Sequence, residues 1–327
     1  LGLIWSDPKG QGRYLDPAQW LEFAQMRDIQ RELLKQQHQS GRYPANQTPT
    51  LLVVIDENGQ HLQQAAQALN NTLLRQTRDA ILHAGVSAQF CLLEDVIEAR
   101  APQAPIYLFP NTFKLTQAQR RQIHEQIAAQ EAAAIWLYAP GYFDENGPNP
   151  QNITATTGIQ TERYDAAEAT QSSYNIAGSW IKQGDLIGPP GQAWTPLFHV
   201  NDPQADTLAV YAETDQASIA IRYLPEGWTS IYSAQPNLTT ALLREIIQIL
   251  EQHLYFTPSS SKRQDTTFAT LDLIAIHPAQ AGEPTVQLPY PAAVQDLFDQ
   301  NIGYSPTDQF QLPLKPGQTR LLKLTPQ

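Results

Sequence analysis

Continuous apolar runs alternate with segments of helical periodicity along the middle of the chain. Runs of this kind, rather than alternating apolar and polar residues, are typical of parallel strands covered on both faces. The spacing of Leu62, Ala66, Leu69 and Leu73 predicts a helix after the first run. Thr116, with Gln119 three residues on, predicts a capping box at the start of the helix after the third run. The four runs are "LLVVID" (51–56), "SAQFCL" (87–92), "PIYLFPN" (105–111) and "AAAIWLY" (132–138).

The pattern changes further along the chain. Residues 140–205 are rich in Pro, Gly and Asn and predict long loops over the sheet. Three strand-like runs then form a meander, and a helix follows with Leu242 and Ile246 on its apolar face. Residues 256–327 contain short strand-like runs separated by turn sequences, which predict a small antiparallel β-sandwich. The runs are "TFATLDLIAI", "TVQLP", "AAVQDLF", "QFQLPL" and "TRLLKL".

The amino-terminal part is a single β/α unit. "LGLIW" predicts a strand, and Asp16-Pro17 predicts the start of a helix, with Asp16 as N-cap and Pro17 in the first turn. We therefore divide the chain into residues 1–44, 45–255 and 256–327. The middle part is expected to be a flavodoxin-like α/β domain with a doubly wound parallel sheet, because strand–helix–strand crossovers are right-handed.

Composition excludes several classes of partner. The 327 residues carry a formal net charge of −11, and so much negative charge argues against nucleic acid. No apolar run approaches the roughly 20 residues of a membrane helix. The chain opens without a basic segment and its only methionine is Met26, so we expect a processed chain or the tail of a longer one, not a signal peptide. A cytoplasmic, periplasmic or secreted location stays open.

Cofactor and metal motifs are missing from the sequence. Cys91 is the only cysteine, and its place beside Phe90 and Leu92 in an apolar run is typical of a buried structural thiol. The seven histidines show no HxH or HxxxH spacing. The first apolar run is followed by one glycine, where a dinucleotide-binding fold needs three. We therefore expect no cofactor and no metal.

The end of the fourth apolar run is where α/β enzymes often expose a nucleophile. Here the run stops at Ala139-Pro140-Gly141, and none of these residues can attack a substrate. The acidic pair Asp144 and Glu145 follows in what is interpreted as a solvated loop. We therefore predict no catalytic residue in the chain.

Trp5, Asp7 and Tyr14 are the candidate substrate-binding residues. An aromatic residue at the end of a strand, followed by a loop of Asp, Gly, Arg and Tyr, is typical of a sugar-binding barrel mouth. Aromatic faces pack on sugar rings there, and carboxylates bind the hydroxyls. An equally open interpretation is that Trp5 and Tyr14 simply pack against the first helix.

Three segments carry a resemblance to a known family. They are similar to the non-catalytic back half of large bacterial glycoside hydrolases, with the family 42 β-galactosidases nearest in pattern. In that group a clan A (β/α)8 barrel precedes a class I glutamine-amidotransferase-like domain without its nucleophile, and a small β domain follows. The segments are "PIYLFPNTFKLTQAQRRQIHEQ…AAAIWLYAPGYFD", "GWTSIYSAQPNLTTALLREI…HLY" and "FATLDLIAIHPAQAGEPTVQLPYPAAVQDLF…TRLLKL".

This resemblance implies a role for each part. Residues 1–44 would be the last β/α unit of the barrel, 45–255 the amidotransferase-like domain that carries trimer contacts, and 256–327 the C-terminal β domain. The family's two catalytic glutamates would lie upstream of Leu1, so the chain alone is expected to be inactive although its parent is a retaining hydrolase. Trp5 and Asp7 would line the substrate cleft. The expected partners are a glycan substrate and further copies of the chain.

Two other functions stay open. A free-standing carbohydrate-binding protein would use the aromatic residues Tyr138, Tyr142, Trp180 and Trp194. An amidotransferase-like hydrolase would need a nucleophile other than those considered, and glutaminase activity that survives Cys91→Ala would reveal one.

Overall fold

The computed structural model describes residues 17–40, 47–63, 68–164, 171–257 and 263–327. The chain forms two compact units, residues 1–47 and residues 48–327. The three-part division derived from the sequence stays a prediction.

The first unit contains the helix α1 (Pro17–Ser40). It begins at the proline, as predicted, because proline fixes φ near helical values and needs no amide partner in the first turn. Trp20 and Phe23, nearly one turn apart, pack edge to face with ring centroids 5.8 Å apart. The predicted strand before this helix lies outside the described residues.

The second unit is built on a sheet of eleven described strands. The strands up to residue 233 are β1 (Leu51–Ile55), β2 (Ala88–Leu92), β3 (Ile106–Phe109), β4 (Ala133–Leu137), β5 (Phe143–Asp144), β6 (Gly147–Pro148), β7 (Thr161–Tyr164), β8 (Ser172–Tyr174), β9 (Leu186–Ile187), β10 (Leu197–Val200), β11 (Asp206–Tyr211), β12 (Ala217–Tyr223) and β13 (Thr229–Ser233). All of these except the separate β5–β6 hairpin belong to the sheet.

Five strands form the parallel part of this sheet, in the order β2-β1-β3-β4-β13. That order is the one of flavodoxin-like sheets, and it confirms the predicted doubly wound fold. The residues of β3 and β4 are all buried, as the continuous apolar runs indicated. At its centre Trp136 stacks on Phe109 with ring centroids 4.1 Å apart.

Helices connect these strands. Thr116 and Gln119 form the predicted capping box at the start of the longest one, with each side chain bonded to the other residue's backbone amide at 3.1 and 2.9 Å. The helices are α2 (Ala68–Asn70), a π-helical stretch (Asn71–Gln76), α3 (Thr77–Ala84), α4 (Leu93–Ile97), α5 (Gln117–Ala129), α6 (Pro150–Thr157) and α7 (Thr240–Ile249).

The meander predicted between residues 206 and 233 continues the same sheet. Strand β13 is parallel to β4 and antiparallel to β12, so it joins the two parts in register. Residues 140–205, predicted as loops, contain six short strands and α6. Strands of two to four residues are too short to show a periodicity, which explains why the sequence pattern did not reveal them.

The carboxyl-terminal part forms a separate antiparallel sheet with its own apolar core, consistent with the predicted sandwich. Two predicted strands, "TVQLP" and "AAVQDLF", are one strand interrupted by a register shift between Gln287 and Ala292. Pro289 and Pro291 fall within that shift, where the backbone does not have to donate a hydrogen bond to the neighbouring strand. Its strands are β14 (Phe256–Thr257), β15 (Thr266–Ala269), β16 (Leu273–His277), β17 (Thr285–Asp296), β18 (Gly303–Gln311) and β19 (Arg320–Pro326).

The end of α3 joins the two sheets. Gly85 follows the helix with φ of 78°, the left-handed conformation that favours glycine. Its carbonyl accepts a hydrogen bond from the amide of Tyr255 at 2.8 Å. A Cβ atom at this position would lie 2.8 Å from the Cβ atom of Phe256, so a side chain here would push β14 away.

Side chains of α7 and of the second sheet also donate hydrogen bonds to the free carbonyl groups at the end of α3. Arg244 of α7 donates to the carbonyl oxygens of His83 and Ala84, the second at 3.1 Å. Thr267 of β15 donates to the carbonyl of Leu82 at 2.9 Å. Arg244 is 2% exposed, and its positive charge lies at the negative end of the helix dipole. One helix terminus therefore fixes α7 and the second sheet together.

We predict that Arg244→Ala lowers the free energy of unfolding by about 2–4 kcal/mol, because two buried carbonyl groups lose their donor and a cavity remains. Urea unfolding measures this change. The control is Arg78→Ala on α3, whose ion pair with Asp79 is exposed, and it should change the free energy by less than about 0.5 kcal/mol. Equal effects of the two substitutions would contradict this role for the helix end.

Candidate functional site

The carboxyl ends of the parallel strands meet at one edge of the sheet. In doubly wound folds, ligands bind at this edge, at the point where the strand order reverses. Here that point lies between β1 and β3. Asp56 follows β1, Asn111 lies just after β3, and Tyr138 follows β4.

The chain's own side chains fill the crevice between β1 and β3. The side chain of Asn111 accepts from the amide of Asp56 at 3.1 Å and donates to its carbonyl at 2.8 Å. Gly59 lies so close that a Cβ atom there would be 2.3 Å from the Asn111 carbonyl oxygen. Burial raises the pKa of the Asp56 carboxyl, and a hydrogen bond from the Asn58 amide opposes that shift. The crevice is therefore closed by polar contacts within the fold.

Tyr138 occupies the strained position at the end of β4. Its φ is 66°, in the left-handed region that costs a non-glycine residue about 1–3 kcal/mol. The sequence placed the bend one residue later, at Ala139-Pro140-Gly141. Two hydrogen bonds of 2.7 Å fix this backbone, from the Tyr138 amide to the Ser233 carbonyl and from the Tyr232 hydroxyl to the Tyr138 carbonyl.

The contacts of the Tyr138 phenol group disfavour a role as a nucleophile. The hydroxyl donates a hydrogen bond to the carbonyl of Pro196, and the side chain is buried. Burial raises the pKa of this phenol far above its ordinary value. A nucleophilic phenolate is therefore disfavoured at neutral pH.

Aromatic rings from the 140–200 segment, together with Phe113, cover the same edge. Phe113 and Phe198 lie 6.3 and 6.1 Å from Tyr138 between ring centroids, and Tyr142 packs on Phe198 at 5.2 Å. Trp194 is buried as well. Of the aromatic residues that a free-standing sugar-binding protein would need on its surface, Tyr138 and Trp194 are thus buried and Tyr142 is half-buried.

The remaining aromatic candidate and the thiol also have structural contacts. Trp180 is half-buried, with the guanidinium of Arg244 lying 5.1 Å above its ring. Cys91 is partly buried in β2, and burial raises the pKa of its thiol to about 12. A protonated thiol is a poor nucleophile.

A histidine–carboxylate pair lies close by but faces away. His199 Nε2 is 3.8 Å from a carboxylate oxygen of Glu162. His199 follows Phe198 on β10, and successive side chains of a strand point to opposite faces. Because Phe198 faces Tyr138, the histidine does not reach the position where a nucleophile would act.

The predicted rim residues Trp5, Asp7 and Tyr14 lie outside the described residues, so their role stays a prediction. Within the described part of the chain, no cluster of three His, Cys, Asp or Glu side chains is arranged to hold a metal ion. No helix in that part is long and apolar enough to cross a membrane.

A groove along α5, which we call the α5 groove, is a described cavity away from the filled edge. Two adjoining cavities of about 680 and 500 Å³ form it. Asp144 and Glu145, interpreted from sequence as a solvated pair, line it from the β5–β6 hairpin. The sequence did not reveal this groove, because 13 residues (130–142) separate α5 from the hairpin and only the fold brings them together. Three residues, His124, Glu125 and Ala155, line both cavities.

Comparison with known proteins identifies the fold. No family model and no curated protein matches the sequence. The β-galactosidase from Bacillus circulans sp. alkalophilus matches with a TM-score of 0.60 and 13% identity, over 85% of this chain and 42% of that one. The β-galactosidase from Rahnella sp. R3 matches with a TM-score of 0.53 and 11% identity, over 84% and 41%.

An α-L-fucosidase, isoenzyme 2 from Paenibacillus thiaminolyticus, matches with a TM-score of 0.52 and 8% identity, over 86% of this chain and 49% of that one. The chain therefore spans less than half the length of each of these proteins. The resemblance to β-galactosidases expected from the sequence is thus confirmed in the fold.

We predict that Tyr138→Phe lowers the free energy of unfolding by about 1 kcal/mol, because the carbonyl of Pro196 loses its buried donor. The matched control is Tyr223→Phe, at a tyrosine that is 63% exposed, and it should have almost no effect. Urea unfolding of both variants measures the difference. No loss of stability in Tyr138→Phe would show that this bond does not hold the 140–200 segment against the bend.

Cys91 provides a second prediction for this region. At pH 8 a thiol with a pKa near 12 holds about 10³-fold less thiolate than one at the ordinary value of 9.0. Labelling by a disulfide reagent should therefore be at least that much slower in the folded protein than in urea. The raised pKa also means that this group stabilises the fold below pH 9 and that the contribution is lost as the pH rises toward 12. Rapid labelling of the folded protein at pH 8 would contradict both statements.

Proposed function

We propose that the chain is the structural, oligomerisation and substrate-rim portion of a glycoside hydrolase that acts on β-galactosides or related glycans. In this proposal it is not itself catalytic. The observation that carries the proposal is the fold shared with two β-galactosidases over more than four fifths of this chain. The rim would be formed by Trp5, Asp7 and Tyr14, which would bind the sugar by ring packing and hydrogen bonds.

The filled edge of the sheet supports a role as scaffold. The crevice between β1 and β3 is closed by Asn111, and the strained bend carries Tyr138, whose hydroxyl is bound to a backbone carbonyl. An enzyme site needs a reacting group that is accessible to substrate and to its catalytic partners. No such accessible group is found at the described edge, but its close packing is suited to a rigid support.

Rigidity also supports the proposed assembly role. The end of α3 is bonded to α7, to β15 and to the residue before β14. Such a junction prevents the two sheets from moving independently, and a preorganised surface loses less entropy when it binds a further copy.

The test uses the chain itself. We expect no hydrolysis of p-nitrophenyl β-galactoside above the buffer rate, together with a solution mass of about three times 36.5 kDa by light scattering at micromolar concentration. The second expectation comes from the proposed trimer. Turnover that remains through successive purification steps would contradict the non-catalytic role, and a monomer over the whole concentration range would contradict the assembly role.

A further inference from the structure

The α5 groove has the size of a small-molecule site and is separate from the filled edge of the sheet. Its two cavities of about 680 and 500 Å³ lie within the range of ligand pockets, roughly 300–1,000 Å³. They run between α5, the β5–β6 hairpin, α6 and the turn after β12. Nothing in the proposed scaffold role uses this groove.

Arg120 is a buried cation on the wall of the groove without an ionic partner. It is 7% exposed, and within the described residues no carboxylate lies within 4 Å of its guanidinium. One Nη atom donates to the carbonyl of Gly141 at 3.2 Å, whereas Nε has no hydrogen-bond partner. A buried guanidinium that leaves donors unused is costly unless another group accepts from it.

Acceptors lie on the hairpin that faces Arg120. Asp144 and Glu145 line the same cavity, and both are close enough to act electrostatically on Arg120. One carboxylate oxygen of Asp144 accepts from the Asn146 amide at 2.7 Å, and the second oxygen takes no part in that hydrogen bond. Among the described residues, Arg120 therefore forms no ion pair with either hairpin carboxylate, whereas Arg121 and Glu125 of the same cavity form an exposed ion pair at 3.7 Å.

His124 adds a further acceptor. Its Nε2 lies 2.7 Å from the carbonyl of Thr156, and a carbonyl can only accept, so Nε2 carries the hydrogen. Burial lowers the pKa of this imidazole, so the neutral ring predominates at pH 7 and Nδ1 is an acceptor.

The second cavity supplies an apolar surface beside these polar groups. Leu224, Pro225 and Ala128 line it, with Trp228 beneath, 5.2 Å from the ring of His124. An apolar patch next to clustered donors and acceptors matches a sugar ring, which has a C–H face and hydroxyl edges.

The charges select the class of ligand. The polar cavity holds two arginines and three carboxylates, Glu125 among them. Three carboxylates oppose an anionic ligand, and two arginines oppose a cationic one. A hydroxyl group fits both sets, because it accepts from a guanidinium and donates to a carboxylate.

We propose that the α5 groove binds a neutral saccharide unit, with a diol held between Arg120 and the carboxylates of the hairpin. The choice of a galactose-containing probe rests on the proposed function, whereas the site rests on the groove. In this assignment the chain holds a glycan at a second place, away from the proposed rim.

Titration calorimetry with lactose and with cellobiose tests this site in the complete chain. We expect saturable binding of at least one disaccharide, and affinity at least tenfold weaker in Arg120→Gln, since a charged hydrogen bond is lost. Glu145→Gln on the exposed hairpin should also weaken binding, and it protects the test against misfolding of the Arg120 variant. Arg100→Gln is the matched control, because its exposed ion pairs lie in the α4 region, and it should bind like the unaltered chain.

Several outcomes overturn the assignment. They are no saturable binding of either disaccharide, equal binding by Glu145→Gln and the unaltered chain, and binding of inorganic phosphate in place of both sugars. Failure here is distinguishable from failure of the proposed function. A trimer without saccharide binding removes only the groove site, and a monomer that binds saccharide removes only the assembly role.

Discussion

The left-handed backbone of Tyr138 is the constraint on which the rest of the structure depends. The conformation is unfavourable for a tyrosine, yet three hydrogen bonds hold the residue, two with Tyr232 and Ser233 of β13 and one with the carbonyl of Pro196. In catalytic α/β folds the same kind of bend exposes a reactive side chain. Here it directs a phenol into the covering segment and ties that segment to the centre of the sheet.

This arrangement explains how the strained bend is kept in a chain where its contacts are made within the fold. Strain at a bend persists only if neighbouring contacts over-determine it, and at an enzyme site the strain serves the reaction. In this chain the same contacts serve packing, because Phe113 and Phe198 enclose the ring of Tyr138 and Asn111 closes the neighbouring crevice. The described crevice is thus filled by the fold itself, whereas the α5 groove is a described cavity with unused polar groups.

The sequence predicted those parts of the fold that depend on local patterns. Continuous apolar runs predicted the parallel strands, and the capping box of Thr116 and Gln119 predicted the start of α5. Both signals are contained in a few neighbouring residues. It did not predict that β13 would pair with β4, a contact across about 95 residues, which extends the parallel part into the meander. Pairing of that kind depends on packing rather than on periodicity.

The same limit applied to the site. The sequence pattern placed the bend at Ala139, Pro140 and Gly141, but the strained residue is Tyr138, since its φ angle depends on hydrogen bonds to β13 that are distant in sequence. Asp144 and Glu145 have the composition of a solvated loop, and only the fold places them opposite Arg120. The aromatic residues Tyr138 and Trp194 suggested a sugar-binding surface, whereas both are buried.

Amide hydrogen exchange at Tyr138 and Asp56 tests the central claim most directly, because these amides donate to Ser233 and Asn111 across the filled edge. If the edge is filled and rigid, both amides exchange only through global unfolding, with opening free energies equal to the free energy of unfolding from urea titration. Exchange of either amide by local opening, several kcal/mol below that value, would instead show an edge that opens to ligands.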